Sequence, residues 1–249
     1  AMKKKKKVIA IVAIILTTVL FTTIFTLGSG LIDTVQDQNI RRMGGDGQAV
    51  LNYISDEVFD DVKDNELIDR IAYTKAVSYH LNNPGLAKWR SDMWYMDDTA
   101  LEFARYEPTT GHRPEAENEI IADTKTLEAL GVPTEIGATV TLNYEIKGKE
   151  YTTDFELCGF WETDSLSNIG RIIVSKAFID NHADLLTYTY PVDNDYSGVV
   201  TAYIMFRSGG SVEEKLQQLL METGYTCDTL GGQPTDENYI IARVSPAYQ

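Results

Sequence analysis

The chain has 249 residues, 43% hydrophobic and 24% charged, a globular composition whose length fits one large domain or two small ones. Its formal net charge of −15 excludes a general nucleic-acid binder. The charge is unevenly placed: Lys3, Lys4, Lys5, Lys6 and Lys7 open the chain, no acid precedes Asp33, and the remaining 17 basic and 37 acidic residues leave −20. A basic tip, an apolar segment and an acidic body exclude a simple cytosolic protein, because this is the polarity a membrane imposes.

The apolar segment runs from Val8 to Leu27, 20 residues without charge, Pro or Gly. As a helix it would be about 30 Å long, the thickness of a bilayer's hydrocarbon core. The expected layout is a basic cytoplasmic tip (1–7), a transmembrane helix (8–27) and an extracytoplasmic body, because Lys3 to Lys7 orient the N-terminus inward. A cleavable signal peptide is the rival reading, with Gly28, Ser29 and Gly30 as the small residues of a cleavage site. The apolar run exceeds the roughly 7–15 residues of such peptides, and both readings put the body outside. Thr18, Thr22, Thr26 and Ser29 fall in one stripe of the helix. Small hydroxyl residues on one face suit packing against another membrane helix, while hydroxyls bonded to their own backbone would empty the stripe of meaning. Residues 28–45 read as a helical stalk ended by Gly44-Gly45.

The body alternates strands and helices. Ala49, Leu51 and Tyr53 alternate with polar neighbours as a strand. Ser55 caps a helix to about Lys63 with Val58, Phe59 and Val62 on one side. Strands over 71–81 and 87–96 flank the turn Asn82-Asn83-Pro84-Gly85, and a helix follows near 99–106. After a loop at 107–114 come a strand at 119–122 and a helix capped by Asp123, burying Leu127 and Leu130 and ending at Gly131. Val140, Leu142, Tyr144 and Ile146, then Tyr151, Thr153, Phe155 and Leu157, alternate about Lys147-Gly148-Lys149 as a β-hairpin. A strand at 171–174, a helix at 175–185 and a strand at 199–206 follow. A helix opened by a Ser211/Glu214 capping box stops at Gly224, and a strand at 239–244 ends the series.

Chemical signatures are sparse. The chain has no G-x-S-x-G elbow, no H-E-x-x-H helix and no G-x-x-x-x-G-K-[ST] phosphate loop. His80, His112 and His182 lie in unrelated elements and read as structural. Hence no catalytic, cofactor-binding or metal-ligating residue is expected. Cys158 and Cys227 permit a disulfide or two free thiols, and Cys158 is expected on the strand face opposite Phe155 and Leu157, together with Phe160. Asp193 to Gly198 resembles the start of a calcium loop, but Ile204 stands where the bidentate Glu belongs, and a tight turn uses the same residues. The acids Asp60, Asp61, Asp64 and Glu66, and the pair Asp97 and Asp98, read as solvated. Trp89, Trp94, Tyr95 and Tyr106 read as packing residues, with Trp89 the most exposed.

One resemblance covers most of the chain in order. The Lys-edged span with its Gly-Ser-Gly exit, Asn118 to Ala122, Leu127 to Val132 (LEALGV), Ile136 to Leu142, Gly148-Lys149, Phe155 to Phe160 (FELCGF) and Ile172 to Ser175 together resemble the first helix and extracytoplasmic core domain of MacB/FtsX-type ABC transporter permeases. The resemblance implies an α+β fold with one N-terminal transmembrane helix and stalk, then a two-lobed mixed α/β domain over 46–249. One lobe would be discontinuous (46–110 and 171–249) and the other inserted (111–170). It implies a non-enzymatic cell-membrane protein that works with a separate ABC ATPase subunit and a second permease subunit as a dimer. Such a protein couples ATP-driven motion to export or mechanotransmission. No second span follows Val244 and Ala1 precedes Met2, so the chain is expected to be a fragment of such a permease. The acidic body suggests cationic peptides as substrate contacts. The alternative is a membrane-anchored extracellular sensor or ligand-binding domain.

Overall fold

The computed structural model describes residues 11–26, 46–164, 167–188, 195–227 and 239–248. The chain divides into two compact units, residues 1–39 and 40–249. In the first, residues 11–26 form helix α1.

The second unit is a mixed α/β body. In chain order it comprises β1 (Ala49–Ile54), α2 (Asp56–Lys63), β2 (Ile68–Ser78), β3 (Ser91–Met96), α3 (Asp98–Ala104), β4 (Thr110–Gly111), β5 (Glu119–Asp123) and α4 (Thr124–Leu130). There follow β6 (Thr139–Ile146), β7 (Lys149–Trp161), β8 (Gly170–Val174), α5 (Lys176–Asn181), β9 (Val200–Phe206), α6 (Val212–Thr223), β10 (Thr226–Cys227) and β11 (Tyr239–Val244). One sheet joins the strands in the order β10-β11-β1-β9-β2-β3-β8-β5-β7-β4, with β6 on β7. The pairs β3/β8, β5/β7 and β10/β11 are parallel. The chain leaves the sheet after β3, builds β4 to β7, and returns as β8 directly beside β3.

Local sequence explains most elements. Ser55, Asp97, Asp123 and Ser175 each accept the N–H three residues on, the N-cap bond that starts α2, α3, α4 and α5. Lys147 and Gly148 turn β6 into β7 with φ of 50° and 74°. Two successive positive φ values match the twist of an antiparallel pair, and glycine takes such an angle without strain. Across this hairpin Val140, Leu142, Tyr144 and Ile146 are buried while their alternate neighbours face outward or partly so.

Three apolar clusters fill the body. One holds Val77, Met93, Ile120, Ala122, Phe155, Leu157, Ile172, Val174 and Phe178. A second packs β1, β9 and β11 against α2 and α6 through Leu51, Ile204, Val62 and Leu219. The third takes Ile121, Ile173, Ala72 and Cys158 against Leu101 and Phe103 of α3. Because strand neighbours point to opposite faces, Ile120 and Ile121, or Ile172 and Ile173, divide between the first and third clusters.

Several expected details are corrected. Tyr53 does not continue the inward series of Ala49 and Leu51: the β1/β9 register shifts there, Tyr53 has φ 56° and is exposed, and Ile54 takes the core position. The connection after β2 is not an extended hairpin. Ala87 lies in a 3-10 turn (Pro84–Ala87) because the Asn83 side chain holds that segment on β6, donating to Thr141 O (2.8 Å) and accepting Asn143 N–H (2.8 Å). Helix α5 stops at Asn181 rather than Leu185, as the backbone tightens into three-residue turns from Ala183 and Leu185. Ser211 stands at the N-cap of α6 but its hydroxyl makes no capping bond. Glu213 and Glu214 instead supply the first-turn negative charge that the helix dipole favours. Finally, the β5/β7 register shifts between Ile120 and Ile121. This bulge separates Cys158, in the third cluster, from Phe160, which packs on the first.

The cap of α3 yields a pH-dependent expectation. Burial pushes the Asp97 carboxyl above its ordinary range, against the opposing hydrogen bond from Ala100 N–H (2.7 Å). In the unfolded chain the group ionises first, near about 3.9. The folded state therefore holds the extra proton, and stability falls as pH rises from that value through the raised folded one. Asp97→Asn, which still caps, should match or exceed the parent in urea unfolding at pH 7. Asp97→Ala should lose about 1 kcal/mol. An Asn variant as weakened as the Ala variant would contradict this reading.

Candidate functional site

Helix α1 is the first functional feature. Every residue from 11 to 26 is exposed, including Ile14 (64%), Leu16 (64%), Leu20 (61%) and Phe25 (75%). Water does not tolerate such a surface without a covering partner or lipid. The hydroxyls of Thr17, Thr18, Thr22, Thr23 and Thr26 each donate to the carbonyl four residues earlier, at 2.8–2.9 Å. Their polar atoms are thus satisfied within the helix. Among the described residues no helix is long and apolar enough to cross a membrane. The expected span of 8–27 extends past α1 at both ends, and Lys3 to Lys7, Ser29 and the stalk 28–45 lie outside the described residues.

In the body, polar groups gather where β3, α4 and β8 meet. Asp123 is 3% exposed. It accepts Thr126 N–H (3.0 Å), the Thr126 hydroxyl (2.6 Å), the Thr163 hydroxyl (2.6 Å) and Arg171 N–H (2.8 Å). Since Thr126 gives its one hydroxyl proton to Asp123, it can only accept from Trp89 Nε1 (3.1 Å) and Ser91 Oγ (3.1 Å). Next to this node, β3 and β8 set Asp92 opposite Arg171, whose Nη1 reaches Asp92 Oδ2 at 3.0 Å with both side chains largely buried. Burial raises the Asp92 pKa, with Arg171 and Arg90 opposing it. Arg171 also lies over the Trp94 ring (5.9 Å), and Tyr79 meets Trp94 edge-on (5.3 Å). The carboxylates here hold strands together, and the hydroxyls are committed to fixed partners rather than poised beside a base.

The other candidates disperse. Among the described residues neither His80 nor His182 joins a metal-type grouping: His80 is exposed after β2, and His182 stacks on Phe178 (4.3 Å). His112 is different, because its ring comes together with Glu119 and Cys158, their ligand-type atoms lying within 4.8 Å of one another. Cys158 and Cys227 are both free, and Cys158 belongs to a strand bulge rather than to a bridge. Asp193 and Asn194 lie outside the described residues. Asp195 Oδ1 accepts Ser197 N–H (2.8 Å), the bond of a side-chain-stabilised turn.

Asp60 pairs with Lys63 (2.6 Å), Asp61 accepts the Tyr225 hydroxyl (2.6 Å), Asp97 caps α3 and Asp98 pairs with Arg113 (2.7 Å). Trp89 is half-buried, since it donates to Thr126 and carries Lys125 on its ring (3.7 Å). Tyr106 stacks on Trp161 (5.2 Å). Neither the Asp92–Arg171 pair nor the His112 grouping has a local sequence signal. Both arise from strand pairings between distant segments.

No family model matches the sequence, and no curated protein matches it. Among solved structures, the chain is similar to a domain assigned to a permease protein of Porphyromonas gingivalis, with 11% identity, a TM-score of 0.46, and coverage of 80% of this chain and 90% of that one. It is similar to the extracellular domain of the noncanonic ABC-type transporter YknZ from Gram-positive bacteria, with 13% identity, a TM-score of 0.44, and coverage of 80% and 99%. It is also similar to the periplasmic region of MacB from Actinobacillus actinomycetemcomitans, with 11% identity, a TM-score of 0.45, and coverage of 82% and 91%.

Proposed function

We propose that this chain is the first membrane helix and extracytoplasmic domain of an ABC transporter permease subunit of the MacB/FtsX type. The observation that carries the proposal is α1, an apolar helix exposed along its whole described length between a five-lysine tip and a body of opposite charge. In this reading residues 8–27 span the cell membrane, Lys3 to Lys7 hold the tip inside, residues 28–45 form the stalk, and 46–249 stand outside. The body comprises a discontinuous lobe (46–110 and 171–249) and an inserted lobe (111–170). The return of β8 to the side of β3 after the excursion through β4 to β7 supports that division. The ordered sequence resemblance over 118–175 supports the family.

Such a domain does no bond chemistry. Hydrolysis belongs to a separate ABC ATPase, a second permease subunit completes a dimer, and the domain transmits motion between the membrane and an external partner or substrate. The acidic body favours cationic peptides as contacts through its field. Thr18, Thr22, Thr26 and Ser29 form the packing face toward neighbouring helices on the strength of their spacing and small size alone: the described hydroxyls bond back to α1, as do those of Thr17 and Thr23 off the stripe, so these bonds do not single the face out.

Cross-linking in native membranes, with the chain inside its natural reading frame, tests both points. An ABC ATPase and a second permease subunit should co-purify. Thr18→Leu with Thr22→Leu should lower the inter-helix cross-link yield severalfold, whereas Thr17→Leu should not. Recovery of a kinase in place of the ATPase would favour the sensor reading. Equal yields from the threonine variants would remove the packing face.

A further inference from the structure

We propose that His112, Glu119 and Cys158 form a binding site for a borderline divalent cation of the Zn2+ type on the external domain. The three donors come from three segments: the residue after β4, the first residue of β5 and the bulge of β7. Their candidate ligand atoms lie within 4.8 Å of one another. The backbones that carry them are held by the sheet. His112 N–H donates to Cys158 O (2.9 Å), and β5 pairs with β7 from Glu119 onward. The donor set is therefore anchored on strands, the arrangement that keeps a site in register.

The imidazole and the carboxylate are oriented for ligation. His112 Nδ1 lies 2.8 Å from Arg113 O. A carbonyl only accepts, so Nδ1 carries the ring proton and Nε2 presents its lone pair, the tautomer that an outer-shell carbonyl fixes in metal-bound histidines. Glu119 Oε2 accepts two backbone N–H groups, from Glu115 (2.8 Å) and Ala116 (2.9 Å). Its other oxygen, Oε1, faces His112 Nε2 at 4.0 Å. Cys158 Sγ closes the set from the buried side, where its thiol donates to Ile120 O (3.3 Å) and His112 O (3.5 Å), bonds that a metal–thiolate bond would replace. The triad is graded from buried thiol to half-buried carboxylate to exposed imidazole, which leaves the outer side open for a water as fourth ligand.

One sulfur, one nitrogen and one oxygen donor suit Zn2+ better than Ca2+ or Mg2+, which take oxygen alone. With every separation at the 4.8 Å limit, an ion equidistant from the three atoms would sit about 2.8 Å from each, against zinc bonds of about 2.0–2.3 Å. A small inward turn of the exposed His112 ring and of Glu119 closes the difference. On binding, the Cys158 thiol releases its proton to solvent and the metal–thiolate bond replaces it. The bound ion would pin the segment around β4 to β7.

Cobalt(II) titration of the full chain in detergent, carrying Cys227→Ser so that only one thiol remains, tests the site. The expected result is a near-ultraviolet thiolate-to-cobalt charge-transfer band at one equivalent, displaced by Zn2+. His112→Ala, at an exposed position that leaves the core intact, should weaken binding by at least about tenfold, the loss that even an outer-shell change causes. Cys158→Ser should abolish the band. A protein with no charge-transfer band at saturating Co2+, or a band that survives unchanged in His112→Ala, would overturn the proposal.

Discussion

Arginine at both Leu16 and Leu20 is expected to release the chain from membranes. Both positions are more than half exposed along α1, in the middle of the 8–27 segment. A charged side chain near the centre of a spanning helix costs about 2.5–3.5 kcal/mol in insertion. Two such substitutions therefore remove about 5–7 kcal/mol, enough to turn a stably inserted segment into a minority species. Leu16→Ala with Leu20→Ala, which leaves the segment uncharged, should remain in the membrane fraction after alkaline carbonate extraction, whereas the arginine pair should appear in the supernatant. Retention of the arginine pair would show that the exposed apolar face of α1 is covered by protein rather than lipid, and the proposed anchor would fall with it. The assay is independent of any transported substrate, so it separates the membrane question from the permease question.

Alanine at Gly170 should strongly destabilise the body. A β-carbon there would stand 2.0 Å from Thr126 Oγ1, 2.3 Å from Ser91 Oγ and 2.6 Å from Trp89 Nε1. All three atoms belong to the network around Asp123. Thr126 and Ser91 are buried at 0% and 2% exposure, so neither can swing into solvent. Overpacking of this kind costs about 1–3 kcal/mol, and the displaced hydrogen bonds add about 1 kcal/mol or more. A loss near 3 kcal/mol should lower the melting temperature of a body of this size by about 6–12 °C.

Thr126→Ala removes the nearest obstructing oxygen and supplies the control. In that background the further cost of Gly170→Ala should shrink by more than 0.5 kcal/mol, roughly the limit within which independent sites add. Additive losses would mean that the close approach at Gly170 is not what the residue is for. The same network ties three parts of the chain together, since Asp123 bonds to Thr163 and to Arg171 N–H. Damage at Gly170 should therefore also loosen the β3/β8 pairing that carries Asp92 and Arg171.

The sequence by itself determined what depends on near neighbours. Ser55 and Asp123 cap helices because their side chains reach the N–H three residues on, and Gly131 and Gly224 stop helices in the left-handed conformation. Lys147-Gly148 turns a hairpin whose buried face is written in Val140, Leu142, Tyr144 and Ile146. The charge division at the apolar segment is likewise a linear property, and the proposed membrane anchor rests on it. Where a signal was only half local, the reading failed in detail. Ser211 occupies a cap position without bonding as a cap, and Tyr53 alternates in sequence but is turned outward by a bulge.

Tertiary structure alone decided the pairings between distant strands. No local pattern states that β8 lies parallel to β3, so Asp92 and Arg171 become partners only when that register forms. The bulge near Cys158 reverses the alternation of β7 beyond it and carries Phe160 to the first cluster, while the thiol keeps the face opposite Phe155 and Leu157; the pairing of β7 with β5 and β4 is what brings it to Glu119 and His112. The physical reason is common to all these cases. Capping and hairpin bonds close within a few residues, whereas parallel pairing and bulges are selected by how whole faces fit after the chain has returned to the sheet.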